Sequence, residues 1–409
     1  MWLYNLGISL YAGGIRLAAL WHGKARLWSE GRRNIFERME AAVRPSDRIV
    51  WVHAASLGEF EQARPIIERL RAEHPEYKIL LTFFSPSGYE IRKNYEGADY
   101  VFYLPADTPS NARRFLDIVH PEIAIFIKYE FWINLLSELR RRKVRSYIVS
   151  AIFRRNSVFF RPYGAMWRQA LETFDTLFVQ NVESKRLLSE IGFDNVVVAG
   201  DTRFDRVAQI AAAAQRVETI ERFRGGGRLF VAGSTWGPDE EILLPLVNAN
   251  PDVKFVIAPH EMDEGRIAHL MRNAKGGAVR YTQCDAATRF DDVQVLVLDT
   301  MGMLSSVYGS ATWASVGGGF GVGIHNTLEA ATFGLPIAFG PNYGKFKEAR
   351  DMVSLGCAVS VRTAGELAAW FAPLCDDEET LRRASRTAKD YTARNQGATG
   401  IILRSIFNS

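Results

Sequence analysis

The chain has 409 residues, too many for one typical hydrophobic core, so two domains of about 200 residues each are expected. Apolar residues make up 47% and charged residues 23%, the balance of a folded rather than a disordered protein. The net charge of +4 is too weak to argue for nucleic acid, but it suits an anionic membrane surface or phosphorylated substrates. Cys284, Cys357 and Cys375 lie far apart without CxxC spacing, which favours a reducing compartment and speaks against a zinc site.

Met1 to Trp21 is apolar and aromatic, with Arg16 its only charge. It lacks a basic leader and a small-residue cleavage site, so a cleaved signal peptide is not expected. Basic residues follow at Lys24, Arg26, Arg32 and Arg33. That pattern predicts a helix that anchors to, or lies in, a membrane interface with its basic flank on the cytoplasmic side. The alternative is a helix packed on the protein itself.

From Arg48 the pattern alternates strand, turn and helix. Unbroken apolar runs predict buried strands at 49–54, 78–82, 100–104, 122–127, 145–150, 176–179 and 195–199. Helical spacing fills the gaps at 60–72, 86–95, 110–119, 131–142, 163–174 and 183–191. This alternation predicts a doubly wound parallel sheet. An Ala-rich helical piece over 207–224 ends in Gly225-Gly226-Gly227 and reads as a junction. The alternation restarts with strands at 229–232, 254–258, 293–298 and 312–316, and closes with mostly helical chain over 364–407. The expected division is a membrane-associated region 1–33, a Rossmann-like domain 34–205, a linker 206–227 and a second Rossmann-like domain 228–409. A ligand cleft between the two domains is the expected shape.

Ser315 to Phe346 holds the densest glycine run, Gly317-Gly318-Gly319-Phe320-Gly321-Val322-Gly323. Its backbone N–H groups are expected to approach an anionic ligand, helped by the N-terminus of the following helix. No G-x-G-x-x-G register fits this run, and the Gly340 to Lys345 stretch is one residue short of a P-loop. Asn326-Thr327-Leu328-Glu329 follows. Asn326 and Glu329 have the spacing of a capping pair, and Glu329 is also placed to accept from ribose hydroxyls.

The stretch from Val316 to Phe346 resembles the donor-site region of the Kdo (3-deoxy-D-manno-octulosonic acid) transferases of lipopolysaccharide synthesis. Further pieces resemble that family in order: His53 to Glu59 (HAASLGE), Thr82 to Gly88, Tyr129 to Asn134 (YEFWIN), Gly200 to Asp205 (GDTRFD), Gly233 to Trp236 and Asp299 to Gly302. The resemblance covers nearly the whole chain. It implies an α/β GT-B fold, two Rossmann-like domains facing a central cleft behind an apolar N-terminal helix. The implied reaction moves Kdo from CMP-Kdo to a lipid A precursor at the cytoplasmic face of the bacterial inner membrane. It proceeds with inversion, without metal or cofactor, and involves no nucleic acid. Two alternatives are an enzyme using a UDP-sugar and a non-catalytic nucleotide-binding scaffold on the membrane.

The resemblance implies Glu59 as the base. On spacing alone, Ser56 and Glu59 form an S-x-x-E capping box, and the helix dipole is expected to depress the pKa of this carboxylate. Glu130 would orient the acceptor or stabilise the transition state, although Lys128 stands where the family carries a second acid. Arg203 replaces a family lysine and keeps its charge. For CMP, the implied residues are Ser234, Thr235, Pro259, His260, Met301, Gly302, Met303, Gly323, Asn326, Thr327, Leu328 and Glu329. Of these, His260 replaces a family arginine and Met303 a family glutamate. His325 is a further phosphate candidate. No residue spacing argues for a metal.

Overall fold

The computed structural model describes residues 1–408. They divide into two compact units, one of residues 1–206 with 396 onward, the other of residues 207–395.

Among the described residues, unit 1 is built on seven parallel strands: β1 (Ile49–Ala54), β2 (Lys78–Phe83), β3 (Tyr100–Tyr103), β4 (Ile123–Ile127), β5 (Arg145–Ala151), β6 (Thr176–Val179) and β7 (Val196–Val198). Their spatial order is β3-β2-β1-β4-β5-β6-β7. Helices cover both faces, so β1 and β4 are buried at every position, which is why their sequences are unbroken apolar runs. The order reverses direction between β1 and β4. At such a switch point the loops after the two strands part and leave a crevice.

Three helices precede the sheet: α1 (Trp2–Ala18), α2 (Gly23–Gly31) and α3 (Ile35–Ala42). No helix among the described residues is long and apolar enough to cross a membrane. The half-buried side of α1 carries Tyr4 and Asn5 beside Ile8, Ala12 and Ile15. Tyr4 Oη donates to the buried Asp107 carboxylate at 2.6 Å, and Asn134 Nδ2 donates to Asn5 Oδ1 at 2.9 Å. Leu3, Leu6, Leu10 and Leu17 are on the exposed side. Arg32 does not belong to an exposed basic flank. Its guanidinium lies over the Trp28, Tyr103 and Phe84 rings, at 3.9, 4.6 and 5.1 Å, and donates to the carbonyls of Leu104, Phe84 and Trp28. Cation–π contacts and carbonyl acceptors together hold it as a structural pin.

The C-terminal helix Ala398–Phe407 returns to unit 1, whereas a second domain continuing to 409 was the sequence expectation. Asp205 anchors it by accepting from Gly397 N, Thr399 N and Thr399 Oγ1 at 2.6, 2.7 and 2.6 Å. Ile402, Leu403 and Ile406 then complete one face of the unit 1 core. Asp205→Ala is expected to cost about 2 kcal/mol, because the helix N-terminus loses its capping carboxylate. Urea denaturation measures this as a lower midpoint at unchanged slope.

Unit 2 repeats the plan with β8 (Leu229–Thr235), β9 (Lys254–Pro259), β10 (Ala278–Arg280), β11 (Val295–Val297), β12 (Trp313–Val316), β13 (Ile337–Phe339) and β14 (Ala358–Ser360). All pair in parallel, in the order β10-β11-β9-β8-β12-β13-β14. Its switch point lies between β8 and β12. The Ala-rich junction also differs from a continuous helix, being split into Thr202–Ala213 and Glu218–Arg224.

Candidate active site

In unit 1 the candidate acids stand on either side of the switch point. Helix α4 (Leu57–Glu73) follows β1 and carries Glu59 in its first turn. Glu59 Oε2 accepts from Ser56 N at 3.2 Å, so it serves the capping box as well. Its pKa is raised, the reverse of the helix-dipole expectation. Burial is the largest cause, followed by the negative charge of Glu130; Lys128 and His53 oppose the rise. Desolvation and a like charge outweigh the helix dipole at this position.

Glu130 follows β4 in the loop before the helix Ile133–Arg142 and is held by two ring donors. Trp132 Nε1 donates to Glu130 Oε2 at 2.8 Å, and His53 Nε2 lies 3.1 Å from the same oxygen. His53 is fully buried on β1, in register with Thr82 of β2. Thr82 Oγ1 is 2.8 Å from His53 Nδ1 and accepts from Trp51 Nε1 at 2.8 Å. With Nδ1 protonated, the ring would donate to the Thr82 carbonyl at 3.1 Å and Nε2 would accept from Trp132 Nε1 at 3.2 Å; the Nε2–H tautomer also uses the Thr82 hydroxyl. In that tautomer Trp51 donates to Thr82, the Thr82 hydroxyl donates to Nδ1, and Nε2–H donates to Glu130. A buried chain thus runs from the sheet core to a carboxylate at the switch point. His53 was visible in the sequence only as part of the HAASLGE run. Its partner Thr82 is adjacent only through strand pairing.

Arg203 is tied to the buried Asp201, with Nε and Nη2 at 2.9 and 2.8 Å from Oδ2. The Tyr129 phenol lies in the field of both Asp201 and Glu59; its pKa is raised, first by burial. Lys128 and Ser150, at the ends of β4 and β5, adopt φ of 60° and 56°. Backbone strain of this kind at strand ends is common beside functional sites.

In unit 2 the glycine run directs the amides of Gly317, Gly318, Gly321 and Gly323 to partners within the protein. Gly317 N and His325 N bond to the carbonyls of Gly233 and Gly317, and Gly321 N and Gly323 N to that of Gly318. Gly318 N donates to Asp239 Oδ2 at 3.0 Å, and Asp239 also accepts from Trp236 N at 2.9 Å. The glycines let loops touch: a Cβ on Gly317 would lie 2.2 Å from Ser234 O, and one on Gly319 2.6 Å from Gly340. The helix after the run, Leu328–Ala331, has only four residues and so supplies little dipole.

The residues proposed for CMP divide accordingly. Leu328 is buried, and the buried Thr235 spends its hydroxyl on Glu240 at 2.8 Å, so neither side chain is free to meet a ligand. Pro259 is buried at the end of β9, and Thr327 is buried with its hydroxyl unpartnered. Ser234, next to last in β8, has φ of 54°. Met301 is exposed; Gly302 has φ of 86°, and Met303 is half-buried beside it. Glu329 accepts from Asn326 Nδ2 and Ser305 Oγ, both at 3.0 Å. Asn326 Oδ1 in turn accepts from Leu328 N at 3.1 Å. Gly323 has φ of 144° beside the Phe346 ring.

His260 stacks between Trp236 and His325, with ring centroids 4.8 and 4.2 Å away. Trp236 Nε1 donates to His325 Nε2 at 3.1 Å. The His325 pKa is lowered, first by burial and then by the facing His260. His260→Asn is expected to let His325 titrate at a higher pH, which an NMR titration of the ring protons reads directly.

Two Rossmann-like units with strand-end loops at their switch points are the frame of nucleotide-sugar enzymes. The solved structures agree in fold. The chain is similar to UDP-GlcNAc 2-epimerase from Neisseria meningitidis (TM-score 0.62, 16% identity, covering 88% of this chain and 100% of that one). It is also similar to MurG from Acinetobacter baumannii (TM-score 0.55, 13% identity, 89% and 100%). The 3-deoxy-D-manno-octulosonic-acid transferase (kdotransferase) family model matches residues 32–206. Similar curated proteins include the 3-deoxy-D-manno-octulosonic acid transferases of Haemophilus influenzae (25% identical, covering 88% of this chain and 86% of that one) and Bordetella pertussis (28%, 87% and 86%). The chain is a glycosyltransferase of the GT-B fold class. By these matches it is similar to the Kdo transferase family.

Proposed function

We propose that this protein transfers Kdo from CMP-Kdo to a hydroxyl of a lipid A precursor, with inversion, at the cytoplasmic face of the inner membrane. The observation that carries the reading is Glu59, a desolvated carboxylate with a raised pKa at the switch point of unit 1. A base works best when its pKa lies closer to the working pH than that of an ordinary carboxylate. Glu59 takes the proton of the acceptor hydroxyl. The acceptor oxygen bonds to the anomeric carbon of Kdo, and the bond from that carbon to the CMP phosphate oxygen breaks. The electron pair leaves on CMP, and Arg203 helps to stabilise the developing charge. Glu130, fixed by Trp132 and His53, orients the acceptor.

In this reading unit 1 binds the acceptor and unit 2 the donor. Glu329 exchanges its Asn326 and Ser305 donors for ribose hydroxyls, and the His260–His325 stack lies toward the phosphate. The outward leucines of α1 support attachment to a lipid surface, since an apolar helix face beside polar loops suits an interfacial helix. Ligand-dependent melting tests the donor assignment. CMP is expected to raise the melting temperature and UDP to leave it unchanged; stabilisation by UDP alone would point to a UDP-sugar enzyme.

A further inference from the structure

The helix Ile133–Arg142 begins just after Glu130, with Trp132 at its N-cap position. Its first intrahelical bond runs from Leu136 N to Trp132 O, so the amides of Ile133, Asn134 and Leu135 need partners from outside the helix. The Trp132 indole has no acceptor to offer them and gives its N–H to Glu130 instead. All three amides are capped by distant parts of the chain. Ile133 N donates to Tyr4 Oη at 3.3 Å, and Asn134 N and Leu135 N donate to the two carboxylate oxygens of Asp107 at 3.0 and 2.9 Å. Tyr4 closes the set by donating to Asp107 Oδ2 at 2.6 Å. Burial and the facing carboxylate raise the Tyr4 pKa, so the phenol keeps the proton it donates. The Asn134 amide adds two ties, to the Asp107 carbonyl at 2.6 Å and to Asn5 Oδ1 at 2.9 Å. Helix ends of this kind are usually capped by their own N-cap side chain. Here the cap is built from α1 and the loop after β3, and the N-cap side chain holds an acid.

We propose, resting on the role given above to Glu130, that Tyr4 and Asp107 are positioning residues for that carboxylate, acting through the first turn of this helix and Trp132. The chain between cap and acid has little slack, since Phe131 N bonds to Tyr129 O at 3.1 Å in a tight turn. A shift of the helix start therefore moves Trp132 Nε1, and with it a donor that fixes Glu130 Oε2. A misplacement of about 1 Å in such a group costs up to about a hundredfold in rate. α1 is in this way a working part of unit 1, through a phenol on its half-buried side.

The test joins NMR of the Trp132 indole N–H to transfer kinetics, both on the full chain. Tyr4→Phe removes one hydroxyl and leaves Ile133 N without its partner. It is expected to lower kcat about tenfold at unchanged KM for CMP-Kdo, and to shift the Trp132 indole resonance toward its position in Glu130→Gln. Asp107→Asn leaves one acceptor oxygen for two amides and is expected to shift the same resonance further. In a Glu130→Gln background Tyr4→Phe is expected to cost no further rate, because its effect runs through that carboxylate. Asp99→Ala is the control for lost stability. It removes a carboxylate that accepts from Ile79 N and Arg71 at the other end of β3, and is expected to lower the denaturation midpoint with kcat and the indole resonance unchanged. An unmoved Trp132 resonance in Tyr4→Phe, or the same fractional loss of rate with and without Glu130→Gln, would overturn the assignment and leave Tyr4 and Asp107 as a helix cap alone. The resonance is read without turnover. Absence of transfer by the native protein would therefore overturn the role of Glu130 in the reaction, while a shifted resonance still supported the positioning. Should Asp107→Asn fail to fold, Tyr4→Phe decides, since it loses a single hydroxyl.

Discussion

Glu59→Gln is expected to lower kcat by about 10²- to 10⁴-fold while raising the melting temperature at neutral pH. Both effects follow from the same desolvation. The folded-state pKa of Glu59 lies above its ordinary value, so the folded protein binds this proton more tightly than the unfolded chain does. The stabilising contribution of protonated Glu59 is therefore full below the unfolded pKa and is lost as pH rises through the folded pKa. At neutral pH the ionised carboxylate is a destabilising element, and glutamine removes it while still accepting from Ser56 N. The pH profile gives a second reading. A base must be ionised, so kcat/KM falls on the acid side with a midpoint above that of an ordinary carboxylate. Glu130→Gln removes the like charge that helps to raise Glu59, and the acid limb is expected to move to lower pH. A limb that stays in place in Glu130→Gln would separate the two acids.

The second large effect is expected at Thr82, which touches neither acid. Thr82→Val preserves shape but leaves Trp51 Nε1 and His53 Nδ1 without the hydroxyl between them. Orphaning buried groups of this kind costs about 1–3 kcal/mol each. His53 has one remedy: Nδ1 takes the proton and donates to the Thr82 carbonyl, 3.1 Å away, which valine retains. Nε2 then presents a lone pair to Glu130, and one of the two bonds that position the carboxylate is lost, with Trp132 keeping the other. The expected result is a lower denaturation midpoint together with a fall in kcat, and nitrogen NMR is expected to show the Nδ1–H tautomer in place of Nε2–H. A stability loss with an unchanged tautomer would make Thr82 a packing residue only. His53→Ala removes the whole link and is expected to cost about 3 kcal/mol.

Much of this architecture was legible in the chain because fully buried parallel strands leave unbroken apolar runs, as at Ile49–Ala54 and Ile123–Ile127. Short strands left no such trace. Ala278–Arg280 and Ala358–Ser360 have three residues each and are partly exposed, too few for a period to emerge. The return of Ala398–Phe407 to unit 1 rests on Asp205, nearly two hundred residues earlier, so no local pattern signals it. At the site, the S-x-x-E spacing correctly placed Glu59 at the start of a helix, but it predicted the wrong direction of pKa shift. Burial, the larger cause, comes only with the folded chain, and the like charge that adds to it, Glu130, is distant in sequence and is brought close by the pairing of β1 with β4. The packing role of the glycine run was hidden for a related reason. Glycine permits close approach of any partner, and here the partners are the protein's own loops at Ser234 and Gly340.

The central claim is that Glu59 drives Kdo transfer from CMP-Kdo to a lipid A precursor. Mass spectrometry of the lipid product, for the native protein and for Glu59→Gln in parallel, tests donor, acceptor and base together. The native protein is expected to add Kdo to the precursor, and Glu59→Gln to leave it unmodified over the same interval. Full product formation by Glu59→Gln would contradict the base assignment, and an unmodified lipid with the native protein would contradict the transfer itself.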